Sequence, residues 1–157
     1  MGVVKDYAIH EIDVMRKIFE DDPLMVYAKV GSLRHTKIED YAQLMLTFKH
    51  KKTAFIEANW LTPEKIRNLT LTGSEAILSL DYLTQEITIE NLDRSLKPRY
   101  EWKEPLKMEL QHFAESILKG MEPEVTGVDG LKALIIAEAA IRSSEKGSSV
   151  KLKFGKM

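Results

Sequence analysis

The sequence predicts an α+β fold: a single, mainly antiparallel sheet with helices packed on one face and the other face left open. Three observations lead there. Apolar and polar residues alternate in several short runs between 25 and 90, the period of a half-buried strand. Those runs are joined by short polar connections marked by glycine or proline, which suit antiparallel neighbours and not parallel crossovers. Stretches with an apolar residue every three or four positions stand before and after the strands, so the helices are grouped and do not alternate with them. A chain of 157 residues is enough for one domain with its own core and too short for two ordinary ones.

Helical spacing covers 6–19, where Ala8, Ile12, Met15 and Phe19 form one apolar face, and Asp21-Asp22-Pro23 ends it. Residues 25–34 read as a strand with Val26, Ala28 and Val30 on one side. Over 41–49, Ala42, Leu44, Leu46 and Phe48 share a face, opposite Tyr41, Gln43, Met45 and Thr47. His50-Lys51-Lys52 has hairpin length, and 53–60 pairs back with Ala54, Ile56, Ala58 and Trp60 on a single side. Thr62-Pro63-Glu64 turns the chain into a strand over 65–72, Gly73-Ser74 turns it again, and 76–80 and 85–90 finish the sheet. Residues 91–104 form a polar connection containing Pro98, with a candidate strand around 100–102.

Two helices close the chain. Leu106, Leu110, Phe113, Ala114 and Ile117 keep the helical period in the first, which Gly120 ends. Thr126 and Asp129 have capping-box spacing at the start of the second, which carries Leu131, Leu134, Ile135 and Ile141 to Gly147. Residues 150–154 return as an edge strand. The sheet face away from the helices carries Gln43, Met45, Thr47, Thr53, Phe55, Glu57 and Asn59. It is either a solvated face or one covered by a second subunit, and Phe55 and Met45 at its middle favour the cover.

Composition excludes several classes of function. Lys+Arg 23 against Asp+Glu 24 leaves a net charge of -1, without the basic excess of a nucleic-acid binder. With no cysteine there is no disulfide, zinc-thiolate site or thiol nucleophile. His10, His35, His50 and His112 are scattered and form no metal-ligand pair, so no metal is expected, and His35, His50 and His112 receive no role. No signal peptide or membrane span is visible, which makes a cytoplasmic protein with no membrane partner the default. No Gly-x-Gly-x-x-Gly follows a strand, so no phosphate cradle for a dinucleotide is present.

On the first helix Asp6, His10, Asp13 and Lys17 fall at i, i+4, i+7 and i+11, a single polar stripe. A carboxylate one turn from an imidazole fixes which ring nitrogen carries the proton, as a general base for a hydroxyl requires. A lone Asp-x-x-x-His is a weak signal, because most histidines near a helix start are surface or capping residues.

Gly2-Val3-Val4-Lys5-Asp6 followed by Ala8-Ile9-His10-Glu11-Ile12-Asp13 resembles the glycine, Asp-x-x-x-His-x-x-Asp signature of the Gfo/Idh/MocA oxidoreductases. Trp60-Leu61-Thr62-Pro63-Glu64-Lys65-Ile66-Arg67 and the Gly73 turn resemble that family's strand pair. Residues 105–113 and 126–134 resemble its C-terminal helices. The resemblance covers nearly the whole chain in three ordered blocks. It implies residues 1–157 are the C-terminal substrate and oligomerisation domain of an NAD(P)-dependent sugar or polyol dehydrogenase. The N-terminal Rossmann domain, with its Glu-Lys-Pro lysine, is then absent from this chain, which reads as a fragment inactive by itself. His10 would be the acid/base, Asp6 its orienting or hydroxyl-binding partner, and Asp13, Trp60 and Arg67 substrate-side candidates. Trp60 shares its face with core residues, Asp13 has the alternative of supporting the helix, and Arg67 the alternative of an interface carboxylate.

NAD or NADP would be held mainly by the missing domain, and the sheet face would pair subunits into a homodimer or homotetramer. The wording Ala-Ile-His-Glu-Ile-Asp-Val-Met-Arg resembles members acting on nucleotide sugars at C3, such as UDP-N-acetylhexosamine 3-dehydrogenases. The rival reading is a non-catalytic module that uses the open sheet to dimerise or to pair with a separate nucleotide-binding subunit.

Overall fold

A computed structural model describes residues 1–34 and 37–155; His35 therefore lies outside the described residues. Two compact units emerge, one formed by 1–62 with 124–157 and the other by 63–123.

The first unit holds the core. A five-residue π-helical turn, Val4–Ala8, runs directly into helix α1, Ile9–Phe19, which Glu20 ends in the left-handed region at φ 52°. Strands β1 (Met25–Gly31), β2 (Tyr41–Thr47) and β3 (Thr53–Asn59) form an antiparallel meander. The register sets Val26 opposite Leu46 and Leu44 opposite Ile56, so every apolar position of the alternation falls on one face. Ala42, Leu44, Leu46, Phe48, Ala54, Ile56 and Ala58 are all buried, as the alternation predicts. Between β2 and β3 a short 3-10 turn, Lys49–Lys51, takes His50 and Lys51 through positive φ. Beneath the sheet lie Ala8, Ile12 and Met15 of the first helix, and Phe19 meets Phe48 edge-on at 4.8 Å.

Helix α3, Gly127–Lys146, packs against β1 and α1. The predicted capping box is present: Asp129 N–H donates to Thr126 Oγ1 at 3.3 Å, and Thr126 N–H donates to Asp129 Oδ2 at 2.9 Å. Its buried face differs from the predicted one. Ala133, Ile136, Ala137, Ala140 and Ser143 are buried, whereas Leu131 is 47% and Leu134 40% exposed. Close approach to the sheet selects small side chains, so bulk misidentifies the contact face. Strand β8, Val150–Lys151, pairs with β1 only at Met25 and Val26. Further along that edge Ala28 N–H and Val30 N–H donate to Ser143 Oγ and Ser144 Oγ, both at 3.0 Å. Helix serines thus replace a longer partner strand, satisfying donors that would otherwise be unpaired.

The second unit is a separate antiparallel sheet, in the order β4 (Asn68–Thr72), β5 (Ile77–Asp81), β6 (Glu86–Glu90), β7 (Ser95–Leu96), followed by helix α2, Pro105–Lys119. The α+β class and the antiparallel pairing hold, but the expected single sheet is two four-stranded sheets. Residues 60–67 carry Pro63 and no ladder, so β3 is not hydrogen-bonded to β4. The candidate strand at 100–102 is absent; the side chain of Gln85 instead pairs with both backbone groups of Lys103, at 2.8 and 3.1 Å. Within this unit the apolar face of α2 is uncovered, with Leu106, Leu110, Phe113 and Ile117 each more than half exposed. Periodicity marks a face as apolar but does not say what meets it.

Candidate functional site at the first helix

The N-terminal turn is anchored from three sides. Glu39 accepts two orphan donors of the helix start: Val3 N–H at its carbonyl (3.0 Å) and Val4 N–H at Oε1 (3.3 Å). A Cβ at Gly2 would stand 2.0 Å from the Glu39 carboxyl carbon, so a larger residue there would displace that carboxylate from Val4 N–H. Lys5 pairs with Glu138 of α3. Asp6 accepts the indole N–H of Trp60 at 3.2 Å. Trp60 is itself held just beyond β3, its backbone N–H donating to the Asp40 carbonyl at 3.0 Å.

Asp40 is wholly buried, and its carboxylate accepts Leu33 N–H and Arg34 N–H at 2.7–3.0 Å. The π-helical turn widens the backbone where Asp6 must reach Trp60 while Val4 and Ala8 stay buried; such turns recur at functional sites. One turn beyond Asp6, His10 is exposed, so its imidazole is open to solvent and to any ligand approaching that face.

The other predicted residues separate from this pair. Asp13 accepts from Arg16 at 2.9 Å and is part of a packed ion network. Arg16, 8% exposed, also binds Asp22 at 2.8 Å and Asp129 at 3.4 Å, and Asp22 accepts from Lys132 at 2.6 Å. Burial alone would raise the Asp22 pKa, but hydrogen bonds from Lys132 and Arg16 outweigh it and hold the carboxyl below its ordinary value. The Thr126 backbone and side chain hold Asp129 down in the same sense. Burial pulls Arg16 down, and its hydrogen bond and attraction to Asp22 more than restore it.

Trp60 is half-buried and committed to Asp6, while Arg67, in the second unit, lies 5.2 Å from the Tyr82 ring centroid. Sequence reasoning missed Glu39, Asp40 and Arg16, which take partners from other segments: Glu39 from Val3 and Val4, Asp40 from Leu33 and Arg34, and Arg16 from Asp22 and Asp129. Among the described residues no cluster of His, Asp and Glu is arranged to hold a metal.

Residues 1–152 match the model of the oxidoreductase family's C-terminal alpha/beta domain. The chain belongs to the Gfo/Idh/MocA oxidoreductases. Over 165 residues it is 28% identical to the uncharacterized oxidoreductase YrbE of Bacillus subtilis, covering 97% of this chain and 48% of that protein. Over 164 residues it is 27% identical to scyllo-inositol 2-dehydrogenase (NAD(+)) of the same organism, covering 96% and 48%. The fold is shared with UDP-N-acetylglucosamine 3-dehydrogenase GnnA of Acidithiobacillus ferrooxidans, at a TM-score of 0.86 and 21% identity over 93% of this chain and 48% of that one. The chain spans about half the length of the curated relatives it matches.

Proposed function

We propose that this chain is the substrate-binding and catalytic-histidine domain of an NAD(P)-dependent sugar or polyol dehydrogenase, with nucleotide sugars oxidised at C3 as the narrower substrate class. One observation carries the reading: in a member of this oxidoreductase family, an exposed imidazole stands one turn beyond a carboxylate fixed by an indole. No glycine-rich turn opens a helix in this sequence, so its own residues do not fit a dinucleotide pyrophosphate. A Rossmann domain outside these residues would hold the cofactor, as relatives twice as long allow.

The bound nicotinamide would supply hydride acceptance; what this chain supplies is control of the hydroxyl proton. His10 takes that proton as the carbon gives up its hydride, so no free alkoxide forms. A positioned base of this kind contributes roughly 100- to 10,000-fold. Asp6 is held by Trp60 at one oxygen, which leaves the other to orient His10 or bind a neighbouring substrate hydroxyl. Asp13 works through Arg16 as a packing group. Arg67 is kept as a substrate-side residue only if a charged group, such as a phosphate, reaches the second unit.

The test is a screen of NAD- and NADP-linked oxidation over polyols, aldoses and UDP-sugars by this chain joined to its dinucleotide-binding half. His10→Ala should lower kcat by at least about 100-fold with NAD(H) affinity retained. Near-normal turnover in that variant removes His10 from the mechanism. A second reading, a non-catalytic pairing module, is favoured by the open sheet face, where Phe55 is 63% and Met45 47% exposed.

A further inference from the structure

We propose that Tyr7 and Trp60 form an aromatic corner that takes the carbon face of a cyclic substrate, which makes Tyr7 a specificity-determining residue. The inference rests on the reading of Asp6 and His10 given above. Tyr7 follows Asp6 directly and is 51% exposed, although it stands in the turn that buries Val4 and Ala8. Its ring meets Trp60 at 6.4 Å between centroids with an interplanar angle of 87°.

Trp60 cannot turn away, because its indole N–H is committed to Asp6 and its backbone N–H to Asp40. Two rings at right angles, one locked, thus border the carboxylate that precedes the exposed imidazole. The ligand chemistry follows from that combination. A cyclic polyol or sugar has a face of C–H bonds and a rim of hydroxyls. Aromatic surface suits the face, and a carboxylate with an imidazole suits the rim. Core packing gives no reason for Tyr7, since Ala8, Ile12 and Met15 already supply the buried side of this helix.

The chain has two tryptophans, so Trp102→Phe leaves Trp60 as the only indole reporting on this corner. In that background, titration with myo-inositol or with UDP-N-acetylglucosamine should change Trp60 emission saturably for at least one of the two, with acyclic glycerol weaker than either. Tyr7→Ala should raise the Kd at least about fivefold and Tyr7→Phe less than about twofold.

No saturable change with either cyclic compound overturns the proposal. So does an unchanged Kd in Tyr7→Ala with native circular dichroism. Turnover separates the two ideas. Loss of kcat in His10→Ala with normal substrate affinity in Tyr7→Ala leaves the histidine mechanism standing and this inference refuted. Retained turnover in His10→Ala with weakened binding in Tyr7→Ala does the reverse.

Discussion

Arg16 shows how one buried side chain organises residues that the sequence presents as separate. Its guanidinium joins Asp13 and Asp22 to Asp129 of α3, and so locks the helix carrying His10 onto its neighbour. Removing one partner of a buried ion network leaves uncompensated charge, which costs more than the intact network contributes. Arg16→Met should therefore destabilise the protein by roughly 2–3 kcal/mol, below the full-burial figure because the three carboxylates keep part of their hydration. Urea unfolding measures it.

The same network predicts an acid response. Asp22 and Asp129 titrate below the ordinary value of 3.8 when folded. Their contribution is therefore complete above that value and is lost as pH falls through the folded values. The melting temperature should drop on acidification below about pH 4, and Asp22→Asn should flatten that drop. An equally steep acid limb in the variant would assign the effect to other carboxylates.

Secondary elements were legible in the sequence where local chemistry decides them. Alternation placed β2 and β3 with the correct buried face, α1 stops before Asp21-Asp22-Pro23 as expected, and Thr126 with Asp129 started α3. A five-residue π-helical turn was not legible, because its period differs too little from an α-helix over so short a run. Nor was the contact face of α3, where alanines pack and leucines do not.

Element-scale predictions follow from the donors involved. Thr126→Ala removes the side-chain half of the cap and should cost about 1 kcal/mol. Ser143→Ala should cost about 1–3 kcal/mol by leaving Ala28 N–H without an acceptor at a buried sheet edge. Amide exchange locates that loss: protection should fall at Ala28 first, and uniform loss across the sheet would point to general loosening.

At the scale of the whole molecule, the stripe Asp6–His10 was readable from spacing, and the role proposed for it rests on family resemblance. Its supports, Glu39, Asp40 and Trp60, lie more than thirty residues beyond Asp6 in the chain, outside any local pattern. The open face of the β1–β3 sheet poses the remaining question. It carries Tyr27, Met45 and Phe55 at 39%, 47% and 63% exposure, among polar neighbours such as Gln43 and Glu57.

Adjacent strands bring two of these together, since Met45 stands opposite Phe55 and Tyr27 opposite Met45 in the register. The result is a continuous apolar row across three strands. Such a row is solvated at a cost, and two copies placed face to face would hide it. The expected outcome is a homo-oligomer in sedimentation velocity that Phe55→Glu converts to monomer, by setting like charges across the interface. The melting temperature of the monomeric variant should no longer rise with protein concentration. A wild-type chain that sediments as monomer at high micromolar concentration would make the row a solvated face and remove the pairing-module reading with it.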